Sequence, residues 1–226
     1  MKNQIGATQR WSSIFRHSLA LLIFICGSKI VRAQQWPASG SQPPSSSGFL
    51  PAASIQPLPA EGKFKLAAED SFDPYAYLLA GMFAEVGQAQ HDPKSWGQGW
   101  GSFAKRYVAS FADQTDENMM TEAVLPVLLK EDPRYFRLGQ GSFFKRTTYA
   151  MSRIWVTRLD AGGQTFNYSE IAGAAASSAI SNLYYPSEDR TLSKNLSRWG
   201  IFVGGDTFFN LLKEYWPDIH HKIFRR

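Results

Sequence analysis

Residues 167–185 read NYSEIAGAAASSAISNLYY, and this stretch decides the predicted fold. Between Ala172 and Ala179 every residue is Ala, Gly or Ser. Alanine has the highest intrinsic helix propensity, and no proline interrupts the run before Pro186. Because small residues occupy all its faces, neighbouring helices can approach this helix closely on every side. We therefore predict that it lies in the centre of a helical domain.

The start of this helix is also marked in the sequence. Asn167 is a favourable N-cap residue, and Glu170 occupies the position from which a carboxylate can reach back to the cap. Two pairs of small residues four apart, Gly173/Ser177 and Gly200/Gly204, are typical of helices in close contact. Both features favour tight packing of helices within one domain.

The predicted fold class is all-α, a compact single-domain bundle of about five or six helices around the small-residue helix. Apolar residues recur at helical spacing after residue 61, and no long alternating strand pattern is present. The other predicted helices span residues 73–90, 103–112, 116–130, 142–159 and 192–215. Pro126 should kink or split the third of them, and Pro217 should end the last.

Residues 1–33 have the organisation of a secretory signal peptide. A basic start precedes the apolar core, residues 19–26, which read LALLIFIC. This core is too short to span a bilayer, which needs about 20 residues. We predict cleavage after Ala33 and export to the periplasm or to the non-cytoplasmic side of a membrane. A lipoprotein modified at Cys26 and an uncleaved anchor are the alternatives.

Residues 34–60 are predicted to form a disordered Pro/Ser-rich linker. They carry no charged side chain and hold six of the 12 prolines of the chain. Such a composition cannot bury enough surface to offset the entropy lost on ordering. Residues 61–226 then form the all-α domain, which is long enough for one core.

The net charge of +5 belongs to the leader. Residues 1–33 hold five basic and no acidic side chains, so the remainder has 19 of each sign. This balance removes the general argument for binding nucleic acid. Residues 34–133 hold six basic and 12 acidic side chains, whereas residues 134–226 hold 13 and seven. We interpret the difference as two halves that pair with each other; an anionic surface facing the second half is the alternative.

Arginines in the second half form the candidate binding site. Arg146 and Arg153 are seven residues apart and are predicted to share a helix face. Guanidinium groups suit phosphate and carboxylate, so the pair is a candidate site for an anionic lipid headgroup or glycan. Asp206 lies in an apolar stretch, where a carboxylate is costly unless it is paired. We therefore expect an ion pair between Asp206 and a helix-borne arginine, and count Asp206 in the same site.

No catalytic motif is present in the sequence. The nucleophile elbow GxSxG does not occur. The one cysteine, Cys26, lies in the leader, so the folded part has no disulfide or thiolate metal site, and we expect burial alone to stabilise it. His220 and His221 would point about 100° apart on a helix and rarely bind one metal together. We predict no metal site and no cofactor.

Together these patterns predict an exported cell-envelope protein with a structural or interaction role and no catalytic activity. Its partner would be a membrane surface or another envelope protein, and not nucleic acid. Two alternatives stay open. One is the anion-binding module formed by Arg146 and Arg153. The other is a hydrolase that uses Asp206 with His91 or His220 at a cleft.

Overall fold

The computed structural model describes residues 56–224 of the chain. The predicted signal peptide and nearly all of the predicted linker lie outside the described residues. The described part is 73% helical, with six α-helices of ten or more residues and a small three-stranded sheet. The prediction of a mostly helical unit is therefore confirmed, whereas the sheet was not predicted. No helix in this part of the chain is both long and apolar enough to cross a bilayer.

The elements follow one another along the chain with short connections. The α-helices are α1 (Ala60–Ser71), α2 (Pro74–Gln90), α3 (Trp100–Asn118), α4 (Leu125–Leu129), α5 (Phe143–Ser152), α6 (Tyr168–Ile180) and α7 (Leu192–Phe224). A π-helical segment, Met119–Val124, joins α3 to α4. Single 3-10 turns occupy Lys94–Trp96, Ser181–Leu183 and Ser187–Asp189. The strands are β1 (Glu131–Asp132), β2 (Val156–Leu159) and β3 (Gln164–Phe166).

The bounds of α2 were predicted correctly. The Asp73 carboxylate accepts a hydrogen bond from the backbone N–H of Tyr75 at 3.0 Å, which caps the helix. His91 ends α2 in the left-handed conformation, with φ 56°. By contrast, α1 was not predicted. Its buried positions include Lys63 and Ser71, so it has no apolar stripe that periodicity could detect.

The chain from α3 to α4 is one continuous rod, where two separate helices had been predicted. In the π segment the backbone N–H of Leu125 donates to the carbonyl of Met120, five residues back. Pro126 follows directly and cannot donate a backbone hydrogen bond. The wider π turn therefore comes directly before the proline. As Pro126 indicated, the helix is irregular at this point, but it is not broken.

The predicted helix over residues 142–159 is wrong in its second half. α5 ends at Ser152, and Val156 begins β2 of an antiparallel hairpin with β3. Gly162 and Gly163 have φ of 90° and 88° in the connecting turn. Glycine adopts this left-handed region readily, so the pair reverses the chain into a hairpin and does not merely cap a helix. β1 pairs with the other edge of β2.

The small-residue helix, α6, has one buried face. Gly173, Ala174, Ser177 and Ser178 are buried on it, together with Ser169 at its start. These residues pack α6 against the π segment, α3, α4 and α7. The opposite face is exposed at three alanines, namely Ala172, Ala175 and Ala179. The expectation that neighbours approach this helix on every side is therefore wrong: alanine is small enough for close packing and also tolerates solvent.

α7 continues through Pro217, where it was predicted to stop. The carbonyl of Glu214, in the same turn, accepts hydrogen bonds from Arg137 Nε and Arg146 Nη2, both at 2.7 Å. Pro217 has no N–H to donate to the carbonyl of Lys213, four residues back. The two arginines supply donors from outside the helix to the next carbonyl, that of Glu214. The turn is therefore held by arginines, and the helix extends past the proline.

The interior of the described part is lined by small and polar side chains. Apart from glycine and proline, its buried apolar residues are alanines except for Ile154 and Trp216. Buried polar and charged residues are more numerous. Lys63, for example, is 1% exposed and donates to Asp160 at 2.6 Å and to the Pro126 carbonyl at 3.1 Å. From the sequence we expected burial alone to stabilise the domain. The structure shows that internal ion pairs contribute as well.

Candidate functional site

Three acidic side chains converge where α3, α6 and α7 meet. Glu117 belongs to the last turn of α3, Glu170 to the first turn of α6, and Asp206 to the middle of α7. One carboxylate oxygen from each lies within 4.8 Å of the other two. Glu117 is 6% exposed, and the other two residues are partly buried. We call these three residues the carboxylate cluster.

A glycine brings α6 close enough to α3 to form the cluster. A Cβ atom at Gly173 would lie 2.9 Å from Thr121 Cγ2 and 3.2 Å from the carbonyl oxygen of Met120. Any side chain there would therefore push α6 away from the π segment. Glu170 precedes Gly173 by one turn, so the same close approach places its carboxylate beside that of Glu117.

The carboxylate of Glu170 is not used to cap its own helix. Asn167 Oδ1 accepts from the Glu170 backbone N–H at 3.1 Å, which confirms the predicted N-cap. However, the backbone N–H of Asn167 donates to the Trp155 carbonyl at 2.9 Å. That donor is the one Glu170 was expected to satisfy. Its carboxylate is thus available to the cluster.

Several buried oxygens at this site accept no hydrogen bond from the described residues. They are Glu117 Oε1, Glu170 Oε1 and Oε2 of the neighbouring Glu122. Buried polar atoms in native proteins almost always have a partner, so each exception requires a specific explanation. Carboxylate oxygens without a donor are acceptors for a cation or a proton.

The pKa values reflect this crowding of acidic groups. Burial and the adjacent charge of Asp206 raise the pKa of both Glu117 and Glu170 well above the ordinary value. Burial, followed by the charge of Asp70, raises the pKa of Glu122. Ionisable groups shifted by burial together with a specific neighbour are concentrated at functional sites.

A cavity of about 80 Å³ adjoins the cluster and shares Glu170 and Asp206 with it. The charged residues in its wall are Glu122, Glu131, Asp132, Arg134, Arg153, Arg158, Glu170, Asp206 and Lys213. Some of these charges already have a partner. Arg134 holds Asp132 through Nε–Oδ1 at 2.8 Å and a second contact at 2.5 Å, and Glu131 accepts from the Ser169 backbone N–H at 2.9 Å.

The candidate anion site is divided by the structure. Arg153 and Asp206 line the cavity, whereas Arg146 does not. α5 ends at Ser152, and Arg153 follows as its C-cap residue. Arg146 instead pairs with Glu214 at 2.7 Å and with Asp218 at 2.5 Å, and stacks over the Tyr215 ring at 4.5 Å. The alternative that arginines pair with acids thus describes Arg146, with partners on α7.

The expected ion pair of Asp206 with an arginine is not formed within the described residues. Asp206 faces carboxylates, and the nearest contributing cation is Lys213, whose pKa is raised because the charges of Asp70, Glu122 and Asp206 outweigh desolvation. Neither His91 nor His220 lines the cavity. The structure therefore does not bring a histidine to Asp206 there.

Glu117, Glu170 and Lys213 were missed from the sequence. Glu117 is followed by an irregular π segment, so its direction cannot be obtained from helical periodicity. Glu170 had a sufficient local explanation as a capping residue. The acidic residues Glu117 and Glu122, in an otherwise packed rod, were the one available signal, because buried carboxylates need a reason.

Known proteins do not add to this description. The chain matches no protein-family model, and the searches of curated proteins and of solved structures found no significant match either.

Proposed function

We propose that this chain is an exported, non-catalytic protein of the cell envelope whose helical domain is held together by a divalent cation. The observation that carries the proposal is the carboxylate cluster, in which oxygens of Glu117, Glu170 and Asp206 lie within 4.8 Å of one another. Among residues 56–224, no donor forms a hydrogen bond with the buried Oε1 of Glu117. The ligands come from three helices, so one ion would link α3, α6 and α7.

The chemistry of the cluster indicates the kind of ion. Hard divalent cations such as Ca²⁺, Mg²⁺ and Mn²⁺ prefer carboxylate oxygens. Two oxygen ligands of one such ion lie at most about twice the ion–oxygen distance of roughly 2.0–2.6 Å apart, and the cluster falls within that limit. This departs from the prediction of no metal site, which was argued from the cysteine and the histidines.

The remaining parts of the proposal come from the sequence. The leader, residues 1–33, supports export, and residues 61–226 are proposed to form one domain arranged around the buried face of α6. A membrane surface or another envelope protein is the proposed partner. A structural role for the cation agrees with ligands contributed by separate helices, because binding an ion only in the folded state stabilises that state.

The experiment is a calorimetric titration of chelator-treated protein with Ca²⁺, Mg²⁺ and Mn²⁺, together with thermal unfolding at each concentration. We expect one ion per chain and a melting temperature that rises with its concentration. Glu170→Gln should abolish both effects, because an amide is a weaker ligand.

Glu69→Gln is the matched control, since Glu69 is exposed on α1 and outside the cluster. It should behave as the wild type. If all three ions leave the wild-type melting temperature unchanged and no heat of binding is detected, the proposal is wrong, and the cluster is a set of carboxyl groups that share protons.

A further inference from the structure

The cavity beside the carboxylate cluster is lined by cationic side chains that make no close ion pair among the described residues. Arg153, Arg158 and Lys213 line it. None of the three makes an ion pair within 4.0 Å among the described residues. The fourth base in the wall, Arg134, is committed to Asp132 at 2.5 Å. Arg153 and Arg158 thus face a small polar cavity without a direct counter-ion among the described residues. For Lys213, by contrast, the charges of nearby carboxylates, Asp70 and Glu122 first, outweigh desolvation and raise the pKa.

The two arginines are held in position by aromatic rings. The guanidinium carbon of Arg153 lies 4.6 Å from the ring centre of Tyr149, and that of Arg158 lies 4.5 Å from the ring centre of Phe136. Stacking on a ring face leaves the N–H groups in the guanidinium plane able to donate. Arg153 Nη2 donates to Ser152 Oγ at 3.3 Å, but its buried Nε has no hydrogen-bond partner in the part of the chain that the structure describes.

The cation site also lacks ligands. Three carboxylates do not satisfy an ion that takes six to eight oxygens. Glu170 and Asp206 belong both to the cluster and to the cavity wall, so an ion held by them would face the cavity. A volume of about 80 Å³ is large enough for several ordered waters or for one small oxyanion.

We propose that the cavity binds a phosphate-type oxyanion that coordinates the cation of the carboxylate cluster and accepts hydrogen bonds from Arg153, Arg158 and Lys213. This inference rests on the proposed cation site. Hard divalent cations often complete their coordination with phosphate oxygens. Guanidinium groups form bidentate hydrogen bonds with the same phosphate group. The group is either free phosphate or the phosphate of a lipid headgroup.

The test is the coupling between two ligands. Ca²⁺ is titrated calorimetrically into chelator-treated protein with and without inorganic phosphate, and phosphate is titrated with and without Ca²⁺. We expect each ligand to tighten the other's Kd by roughly tenfold, and by the same factor in both directions, because coupling free energies are reciprocal.

Variants separate this inference from the cation site. Arg153→Gln and Arg158→Gln should retain the Ca²⁺ affinity measured without phosphate and lose the enhancement. Arg153→Lys, which keeps the charge but not the fork, should retain only part of it. Arg190→Gln is the control, since Arg190 is exposed and outside the cavity wall. Circular dichroism establishes that each variant is folded before it is titrated.

Each outcome decides between the proposals. If Ca²⁺ binds and phosphate changes nothing, the inference is overturned and the proposed function stands. If neither ligand binds alone or together, both fail. Glycerol 3-phosphate is the second probe: enhancement by it and by phosphate supports a headgroup site, and enhancement by phosphate alone supports free phosphate.

Discussion

Two acidic sites lie eight residues apart on α7 and solve the problem of a buried carboxylate in opposite ways. Glu214 is completely buried and accepts four hydrogen bonds. The donors are Tyr135 OH, the backbone N–H groups of Leu138 and Gly139, and Arg146 Nε, at 2.7–2.9 Å. Asp206, by contrast, faces the carboxylates of Glu117 and Glu170.

The difference identifies which site is structural and which awaits a ligand. A buried carboxylate that receives four donors, one of them a guanidinium, has its charge and its lone pairs satisfied. A buried carboxylate among others of like charge raises the free energy of the folded state. Glu214 is therefore satisfied by the protein itself, whereas the carboxylates of the cluster need a cation or shared protons to offset their mutual repulsion.

The largest expected effect is at the satisfied site. Glu214→Gln removes a buried charge that Arg146 needs and places an amide where four donors require an acceptor. We expect a loss of about 3–5 kcal/mol in the free energy of unfolding, because Arg146 loses its buried ion-pair partner and, among the described residues, keeps only Asp218, which is 43% exposed. Urea unfolding measures it. The exposed control Glu69→Gln should change stability by less than about 0.5 kcal/mol, and equal losses in both variants would remove the structural role of Glu214.

The next effect concerns the cation. At roughly 100 times the Kd, Ca²⁺ should stabilise the wild type by about 2.7 kcal/mol, as mass action requires for a ligand of the folded state. The same addition should leave Asp206→Asn unchanged and should stabilise Glu214→Gln as much as the wild type if that variant folds. Identical shifts for wild type and Asp206→Asn would place the ion elsewhere.

A smaller effect of opposite sign should appear without the cation. In the presence of chelator at neutral pH, Glu117→Gln should increase the free energy of unfolding by about 1–2 kcal/mol, because it removes one of three facing carboxylates that share a buried site. Replacing the charged Glu117 by the uncharged Gln should thus stabilise the folded state, whereas the same change at Glu214 should destabilise it. A loss of stability in Glu117→Gln, measured by the same urea titration, would show that the cluster is already satisfied.

The smallest expected effect is the pH-dependent contribution of the Asp218 carboxylate to the free energy of unfolding. Desolvation is the largest single influence and raises the pKa of Asp218, but the hydrogen bond from Arg146 and the charges of Arg137 and Arg146 together outweigh it and lower the pKa below the ordinary value. The unfolded chain then binds the proton more readily, so this stabilisation is complete above about pH 4 and is lost as pH falls through the folded pKa. Since Asp218 is 43% exposed, we expect only about 0.5 kcal/mol.

The measurement compares wild type with Asp218→Asn across the acid range. The difference in urea midpoint should be constant from neutral pH down to about pH 4 and should vanish below it. A difference that persists in strong acid would mean that Asp218 contributes through packing and not through charge.

Local signals predicted the local features of this fold well. Asp73 and Asn167 cap the helices for which they were proposed, and His91 ends α2. Each of these positions is decided by a few neighbouring atoms, so the sequence contains the whole cause. The mostly helical class follows from the same repeated short-range preferences.

The missed features depend on contacts distant in sequence. α7 passes Pro217 because arginines from α5 and from the loop before it supply donors to the Glu214 turn. The carboxylate cluster draws on positions 117, 170 and 206, which no local pattern connects. The β2–β3 hairpin is the exception: the Gly162-Gly163 pair after the β-branched residues Val156 and Thr157 is a local hairpin signal, although residues 142–159 were predicted to form one helix.

The π segment has a geometric consequence for the acidic residues that flank it. In a regular α-helix, residues five apart such as Glu117 and Glu122 would be separated by about 140° around the axis. One surplus residue in the turn lets both reach the same interior region, where their charges act on each other. Deleting one residue from Met119–Val124 would remove that surplus and return the turn to regular α-helical geometry. The wide turn therefore fits the five-residue spacing of the two glutamates to a single interior surface.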